Sequence, residues 1–189
     1  MTIAFVTHVV ESGDGQGRVN LEIAHTALEN GHHVVLVASR VSDTLRSHDD
    51  VRWVPVPVDG IPTELLRNQV FAWRSARWLS QNHNAFDVLL ANGAITWTAA
   101  DVNAAHFVHS AWLRSPAHAI RTTRGPYAWY QGLYTAVNAL WERWAFRQAT
   151  TVVAVSRQVK QDLQSLGIPS PTIQVIPNGV DPTEFCPGS

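Results

Sequence analysis

The feature that most constrains this chain is the regular alternation of two hydrophobic patterns. Short apolar runs rich in β-branched residues recur at residues 3–7, 34–38, 51–56, 88–91, 105–108, 152–155 and 173–176. Between most of them lie longer stretches with helical spacing, at 18–30, 63–81, 127–149 and 158–166, and a shorter one at 95–103. Side chains on a strand share a face every second residue, whereas those on a helix do so every third or fourth, so each segment suits one element. Strand–helix alternation builds a parallel sheet with helices on both faces. The first runs are almost continuously apolar, as expected of strands covered on both sides. Around Val51 and Trp53 the pattern alternates more and ends in prolines at 55 and 57, which suits a sheet edge because proline cannot donate to a ladder. The expected fold is therefore α/β: a doubly wound, Rossmann-like parallel sheet of about seven strands.

With 189 residues, 46% of them hydrophobic, the chain has material for one domain with a substantial core, which excludes a disordered tail. There is no internal repeat or low-complexity tract, and the Pro/Gly-rich end, 177–189, is the one candidate hinge. The lone cysteine, Cys186, rules out an internal disulfide framework and a cysteine-based zinc site, and favours a reducing cytoplasm. Residues 1–10 are apolar without basic flanks, and no stretch approaches the roughly 18 to 20 apolar residues of a membrane span, so a soluble chain without signal peptide is expected. The formal net charge of -1 gives no general reason to expect a nucleic acid partner. It conceals a polarity along the chain. Residues 1–59 carry 4 basic and 8 acidic groups, residues 60–160 carry 10 and 4, and the remainder none and 3. Thirteen of the 14 basic residues are arginine, a choice that suits phosphate and ring stacking and equally reflects base composition. Seven of the eight tryptophans share the basic middle, consistent with a lipid or sugar face or with a bulky core rimmed by arginine.

The first strand leads into Ser12-Gly13-Asp14-Gly15-Gln16-Gly17-Arg18 and then a helix ending at Asn30-Gly31. Glycines let the backbone approach an anion, and the unpaired N–H groups of a helix start favour negative charge. The spacing is neither the dinucleotide G-x-G-x-x-G nor a P-loop, and a tight turn without ligand is the alternative.

At the other end, Val152-Val153-Ala154-Val155-Ser156 precedes a short helix, Gly167, and the passage from Ile176-Pro177-Asn178-Gly179-Val180-Asp181 to Phe185-Cys186-Pro187. Together with the Gly-rich turn and Gly31-His32, these motifs resemble the N-terminal domain of the family 4 glycosyltransferases of GT-B architecture. The resemblance implies a retaining transferase that moves a sugar from a nucleotide-sugar donor to an acceptor, with residues 1–181 as the acceptor domain and 182–189 opening the hinge to a donor-binding domain absent from the chain. It assigns Gly15 and Gly17 to the donor phosphate, although Asp14 replaces the first glycine of the family's Gly-Gly pair. Gln16, Arg18 and Asn20 at the helix start are expected to face the cleft as acceptor or phosphate contacts. Arg18 stands out physically, because a guanidinium beside a helix N-terminus is unfavourable until an anion arrives.

Nine histidines are present, and His106-Phe107-Val108-His109 is read as the end of the fifth strand, which sets its two histidines on opposite faces if the strand continues to His109. The family carries a sugar-site histidine at this strand end; His109 is the better match as the catalytic residue, and His106 the fallback and an acceptor contact. Asn92, after the fourth strand, sits at the carboxyl edge where open α/β sheets bind ligands. Satisfied histidines and an ordinary turn are the alternatives. There is no H-E-x-x-H or D-x-D, so no metal and no cofactor beyond the nucleotide-sugar co-substrate are expected. No pair of carboxylates recommends itself for acid–base work, and the family's paired glutamates belong to the other domain.

The chain alone is thus expected to be inactive, with a sugar or lipid-linked acceptor and the missing domain as partners. A free-standing dinucleotide-binding module is the alternative, since Arg40 after the second strand suits a 2'-phosphate. Arg67, Phe71, Arg74 and Trp78 share one helical stripe, which suits either an anionic membrane at the inner face or a core helix with snorkelling arginines. Residues 111–126, with Arg114, Arg121 and Arg124, are read as a long loop suited to a lid or acceptor platform.

Overall fold

The computed structural model describes residues 1–13 and 15–179. Asp14, the hinge at 182–189 and the final motif from Val180 onward lie outside the described residues. Seven strands, β1 (Thr2–Val10), β2 (His33–Val41), β3 (Val51–Pro55), β4 (Val88–Asn92), β5 (Val102–Ala105), β6 (Thr151–Ala154) and β7 (Ile173–Val175), form one sheet. Its order is β3-β2-β1-β4-β5-β6-β7 and every pairing is parallel, with β3 at an edge as its prolines require. The helices are α1 (Gly15–Glu29), α2 (Asp43–Arg46), α3 (Glu64–Gln81), α4 (His109–Arg114), α5 (Ala119–Thr122), α6 (Pro126–Gln148) and α7 (Arg157–Ser165).

Strand periodicity sorts the core into layers. Ala4, Val6, Val35 and Val37 pack with Phe71 and Leu79 of α3, whereas Phe5, Leu36 and Val10 pack with Ala24 and Ala27 of α1. A third cluster joins Phe146 of α6 and Leu163 of α7 to Val152 and Ile173. Burying a side chain such as Phe71 contributes about 1.5 to 3 kcal/mol. Helix ends follow local chemistry. Thr63 and Ser156 accept the backbone N–H groups of Leu66 and Val159, capping α3 and α7, and Gly31 ends α1 at a φ of 75°.

Three expectations are corrected. The segment 95–103 is not a helix, because β5 starts at Val102 and its ladder with β4 and β6 claims the residues a last helical turn needs. Correspondingly, β5 ends at Ala105, so His106 lies beyond the strand and His109 is the first residue of α4. Asn103, read as the end of the helix at 95–103, is instead a buried strand residue whose amide pairs with both Gly93 N–H, at 2.8 Å, and Gly93 C=O, at 3.1 Å. Of the two readings of the α3 stripe, the core helix is the one the structure has: Phe71 is fully buried and Trp78 lies against the same core. Its arginines snorkel, Arg67 to Glu64 and the Ile61 carbonyl, Arg74 to the Pro57 carbonyl. Residues 111–126 are not an open loop either. They hold α5 and the end of α4, pinned by the buried His118, whose Nε2 lies 2.9 Å from Thr135 Oγ1 of α6.

Candidate functional site

Strand order reverses between β1 and β4, since chain connections from β1 run outward to β2 on one side and return to β4 on the other. At such a switch point the loops leaving neighbouring strands diverge and leave a crevice at the carboxyl ends. A cavity of about 320 Å³ occupies that crevice, bounded by the ends of β1, β4 and β5, the start of α1, and the flanks of α3 and α6.

The floor is an amide network. Asn20 Nδ2 donates to Thr7 Oγ1 at 2.9 Å and to the Val9 carbonyl at 3.1 Å, and Asn92 Nδ2 donates to Asn20 Oδ1 at 2.7 Å. These buried groups tie α1 to β1 and β4, and buried polar groups so paired fix one geometry.

One wall centres on His109. Glu142 is 3% exposed, and its side chain accepts two hydrogen bonds from one residue: His109 N–H to Oε2 at 2.8 Å, and His109 Nδ1 against Oε1 at 2.6 Å. Glu142 thereby caps the start of α4 and fixes the imidazole ring, leaving Nε2 without a protein partner among the described residues. A carboxylate on one ring nitrogen selects the tautomer and presents the other nitrogen to a ligand. Gly93, at a φ of 66°, passes beside this pair, and a Cβ there would sit 4.0 Å from Glu142 Oε1.

The opposite wall is a chain of neutral polar groups. Asn68 of α3 places Oδ1 3.2 Å from His8 Nε2 and donates Nδ2 to the Tyr134 hydroxyl at 3.3 Å. Burial lowers the pKa of His8, against a smaller raising effect of Asn68, and burial likewise lowers that of His106. Burial raises that of Tyr134, so its hydroxyl stays protonated at neutral pH. His106 Nε2 is buried with no hydrogen-bond partner among the described residues. The cavity therefore presents hydroxyl, amide and imidazole groups together with two carboxylates, Glu142 and the Arg67-paired Glu64, a lining suited to a polyhydroxylated ligand.

Of the sequence-predicted residues, His109, His106, Gln16 and Asn92 line this cavity. The two histidines share it because the chain turns after β5, so the expectation of opposite strand faces is corrected. Asn20, expected to face the cleft, is buried beneath the cavity and bonds to protein. Gly15 opens α1 and is exposed, with nothing within 4 Å of a Cβ built on it, and Gly17 is buried. Arg18 is half-buried and already engaged, so it is not a free cation. Arg40 Nε lies 3.3 Å from Glu11 Oε1 in an exposed ion pair at the end of β2, outside the cavity lining. Among the described residues no three His, Cys, Asp or Glu side chains cluster as metal ligands, and no helix is long and apolar enough to cross a membrane.

The sequence reading missed Glu142, Asn68, Tyr134 and His8. One signal was present for Glu142: it is the only acidic residue between 102 and 161, set within an apolar helix. The others come from elements about 60 residues apart, and no spacing announces them.

No curated protein sequence matches the chain. Solved structures share its fold. WaaG, a glycosyltransferase involved in lipopolysaccharide biosynthesis, superimposes with a TM-score of 0.69 at 20% identity over 95% of this chain and 46% of its own. Anabaena Alr3699/HepE, solved with UDP and glucose, gives 0.55 at 20% over 97% and 46%, and the lipopolysaccharide outer core galactosyltransferase WaaB gives 0.52 at 15% over 95% and 46%. The chain spans about half the length of these proteins, and its fold is that of the N-terminal half of a GT-B glycosyltransferase. The profile of Glycosyltransferase Family 4 matches residues 13–184, nearly the whole sequence, and the chain belongs to that family.

Proposed function

We propose that this chain is the acceptor-side domain of a retaining glycosyltransferase, and that His109 is the residue in it that touches the transferred sugar or the acceptor hydroxyl. The observation that carries the reading is the His109–Glu142 pair at the cavity wall. With Nδ1 held by Glu142, Nε2 is free to hydrogen-bond a sugar hydroxyl, while the amide and hydroxyl groups of Asn68 and Tyr134 face the same volume. Gln16 and Asn92 complete the acceptor side, with His106 Nε2 as a further unpaired donor or acceptor. The exposed backbone at Gly15, with Gly17 behind it, approaches the donor phosphate at the start of α1, where the helix dipole favours an anion. Electrostatic stabilisation of the departing diphosphate comes from a second domain, so the chain alone does not transfer sugar. No metal and no cofactor beyond the nucleotide-sugar are invoked, and the site of action is the cytoplasmic compartment.

The test is a transfer assay with a nucleotide-sugar and a lipid-linked acceptor, run on the 189-residue chain and on the chain joined to a donor-binding domain. Turnover is expected only in the second case, and His109→Ala should reduce it by at least a hundredfold. Sugar transfer by the chain alone, or an unaffected His109→Ala protein, refutes the reading.

A further inference from the structure

The direction of the hydrogen bonds on one side of the cavity decides what that side can offer a ligand. His8 of β1, Asn68 of α3 and Tyr134 of α6 all line the cavity and meet in one chain. Asn68 Oδ1 lies 3.2 Å from His8 Nε2, and Asn68 Nδ2 lies 3.3 Å from the Tyr134 hydroxyl. A carboxamide oxygen only accepts, and its NH₂ only donates. His8 Nε2 therefore carries the proton of that ring, and the Tyr134 oxygen receives a hydrogen bond through a lone pair. Burial lowers the pKa of His8 and raises that of Tyr134, so at neutral pH each side chain has one proton to place. That of His8 is spent on Asn68. That of Tyr134 is not, because its hydroxyl meets no acceptor among the described residues. The chain runs one way, from His8 through Asn68 to Tyr134, and ends in an O–H donor at the cavity.

Packing leaves these groups little freedom. The His8 ring lies 4.2 Å, centroid to centroid, from the fully buried Phe71. The Leu65 N–H donates to the Tyr130 hydroxyl at 3.3 Å, a second tie between α3 and α6. A donor held in place beforehand loses less on binding than one that must first be ordered. Tyr134 also approaches His109, ring centroids 6.0 Å apart, whose Nδ1 is turned to the Glu142 carboxylate. A carboxylate accepts, so the His109 proton sits on Nδ1 and Nε2 is left to accept. One donor and one acceptor thus face the same space, and the two senses together fit a sugar, whose hydroxyl groups both accept and donate. A ligand group that only donates, such as an ammonium, would leave the tyrosine proton without a partner in a partly desolvated place.

We infer that Tyr134 is a specificity-determining residue of this site: it donates its hydroxyl proton to an oxygen of the same sugar that gives a hydroxyl proton to His109 Nε2, and Asn68 sets the direction of that donation. The ligand class rests on the sugar-transfer reading, whereas the direction of the chain does not.

Imidazole ¹⁵N NMR on the full chain tests the direction without any ligand, and His8 should carry its proton on Nε2. A proton on Nδ1 would mean that the amide is turned the other way and that Tyr134 donates to Asn68, which overturns the proposal. Saturation-transfer NMR then tests the donation, with methyl α-glucoside, methyl α-galactoside and methyl α-mannoside as probes. At least one is expected to bind, and Tyr134→Phe should weaken it roughly 2- to 12-fold, the loss of one neutral hydrogen bond. Asn68→Asp is the sharper variant, because a carboxylate only accepts. The Tyr134 hydroxyl then stays in place but turns its proton to residue 68, and binding should fall at least as far as in Tyr134→Phe. A role for Asn68 in shape alone would leave the affinity of Asn68→Asp unchanged. Melting curves identify the variants that keep the fold, and either variant by itself suffices. Binding of none of the three probes, or affinity unchanged in a folded variant, overturns the proposal. Failure of the sugar-transfer reading shows elsewhere, in transfer by the chain alone or in an unaffected His109→Ala protein.

Discussion

Glutamate 142 offers the sharpest test of the site geometry, because one buried side chain holds both the backbone and the ring of His109. Substituting Glu142→Ala removes both acceptors and leaves two donors in a desolvated place. A hydrogen bond to a charged group contributes about 1.5 to 3 kcal/mol, so losing two costs about 3 to 6 kcal/mol. Glu142→Gln keeps the volume and one carbonyl oxygen, sufficient for the His109 N–H, but aims an amide NH₂ at Nδ1. The cost should be about 1 to 3 kcal/mol, a drop of roughly 2 to 12 °C in melting temperature for a domain of this size. The ring must also change tautomer: Nδ1 becomes an acceptor and the proton moves to Nε2. Scanning calorimetry at pH 7.5 reads the first effect and imidazole ¹⁵N NMR the second. A Glu142→Gln protein that melts within about 1 °C of the unaltered chain, with the proton still on Nδ1, would refute the claim that this carboxylate sets the ring.

Two further outcomes are expected. Burial lowers the pKa of His8 and His106 below the ordinary 6.5, so the folded state binds fewer protons than the unfolded one as pH falls through that value. Their contribution to stability is therefore complete above about 6.5 and declines on acidification; melting curves from pH 7.5 to 5 should show a shallower decline in the His8→Asn, His106→Asn double variant. Asn20→Ala and Asn92→Ala each disrupt the same buried amide pair, at a cost of about 1 to 3 kcal/mol apiece. A double-mutant cycle by urea unfolding should return a coupling of at least about 0.5 kcal/mol, and strict additivity would show that the network is not a unit.

The architecture was written in local pattern. Continuous β-branched runs can only be strands buried on both sides, the intervening helical spacing forces crossovers, and prolines 55 and 57 exclude a central position for β3. Local pattern failed where tertiary pairing overrode it. Asn103 reads as part of a helix until Gly93 supplies partners for its amide, and only then are residues 102–105 a strand that leaves His106 and His109 free to turn into one cavity. His109 was legible because a motif carries it, but its partner Glu142 stands 33 residues away. Asn68 and His8 lie 60 residues apart and meet only because α3 packs beside the end of β1. The direction of α6 was likewise a tertiary decision. Its sequence offers an apolar side and a mixed side, and the requirement that buried polar groups find partners turned Thr135, Asn138 and Glu142 inward and Trp129, Leu133 and Leu140 out. Sequence determined which elements form, because each one's periodicity is satisfied within its own few turns. Only the packed structure decided which side chains share a site, because that depends on hydrogen bonds between residues that no local spacing relates.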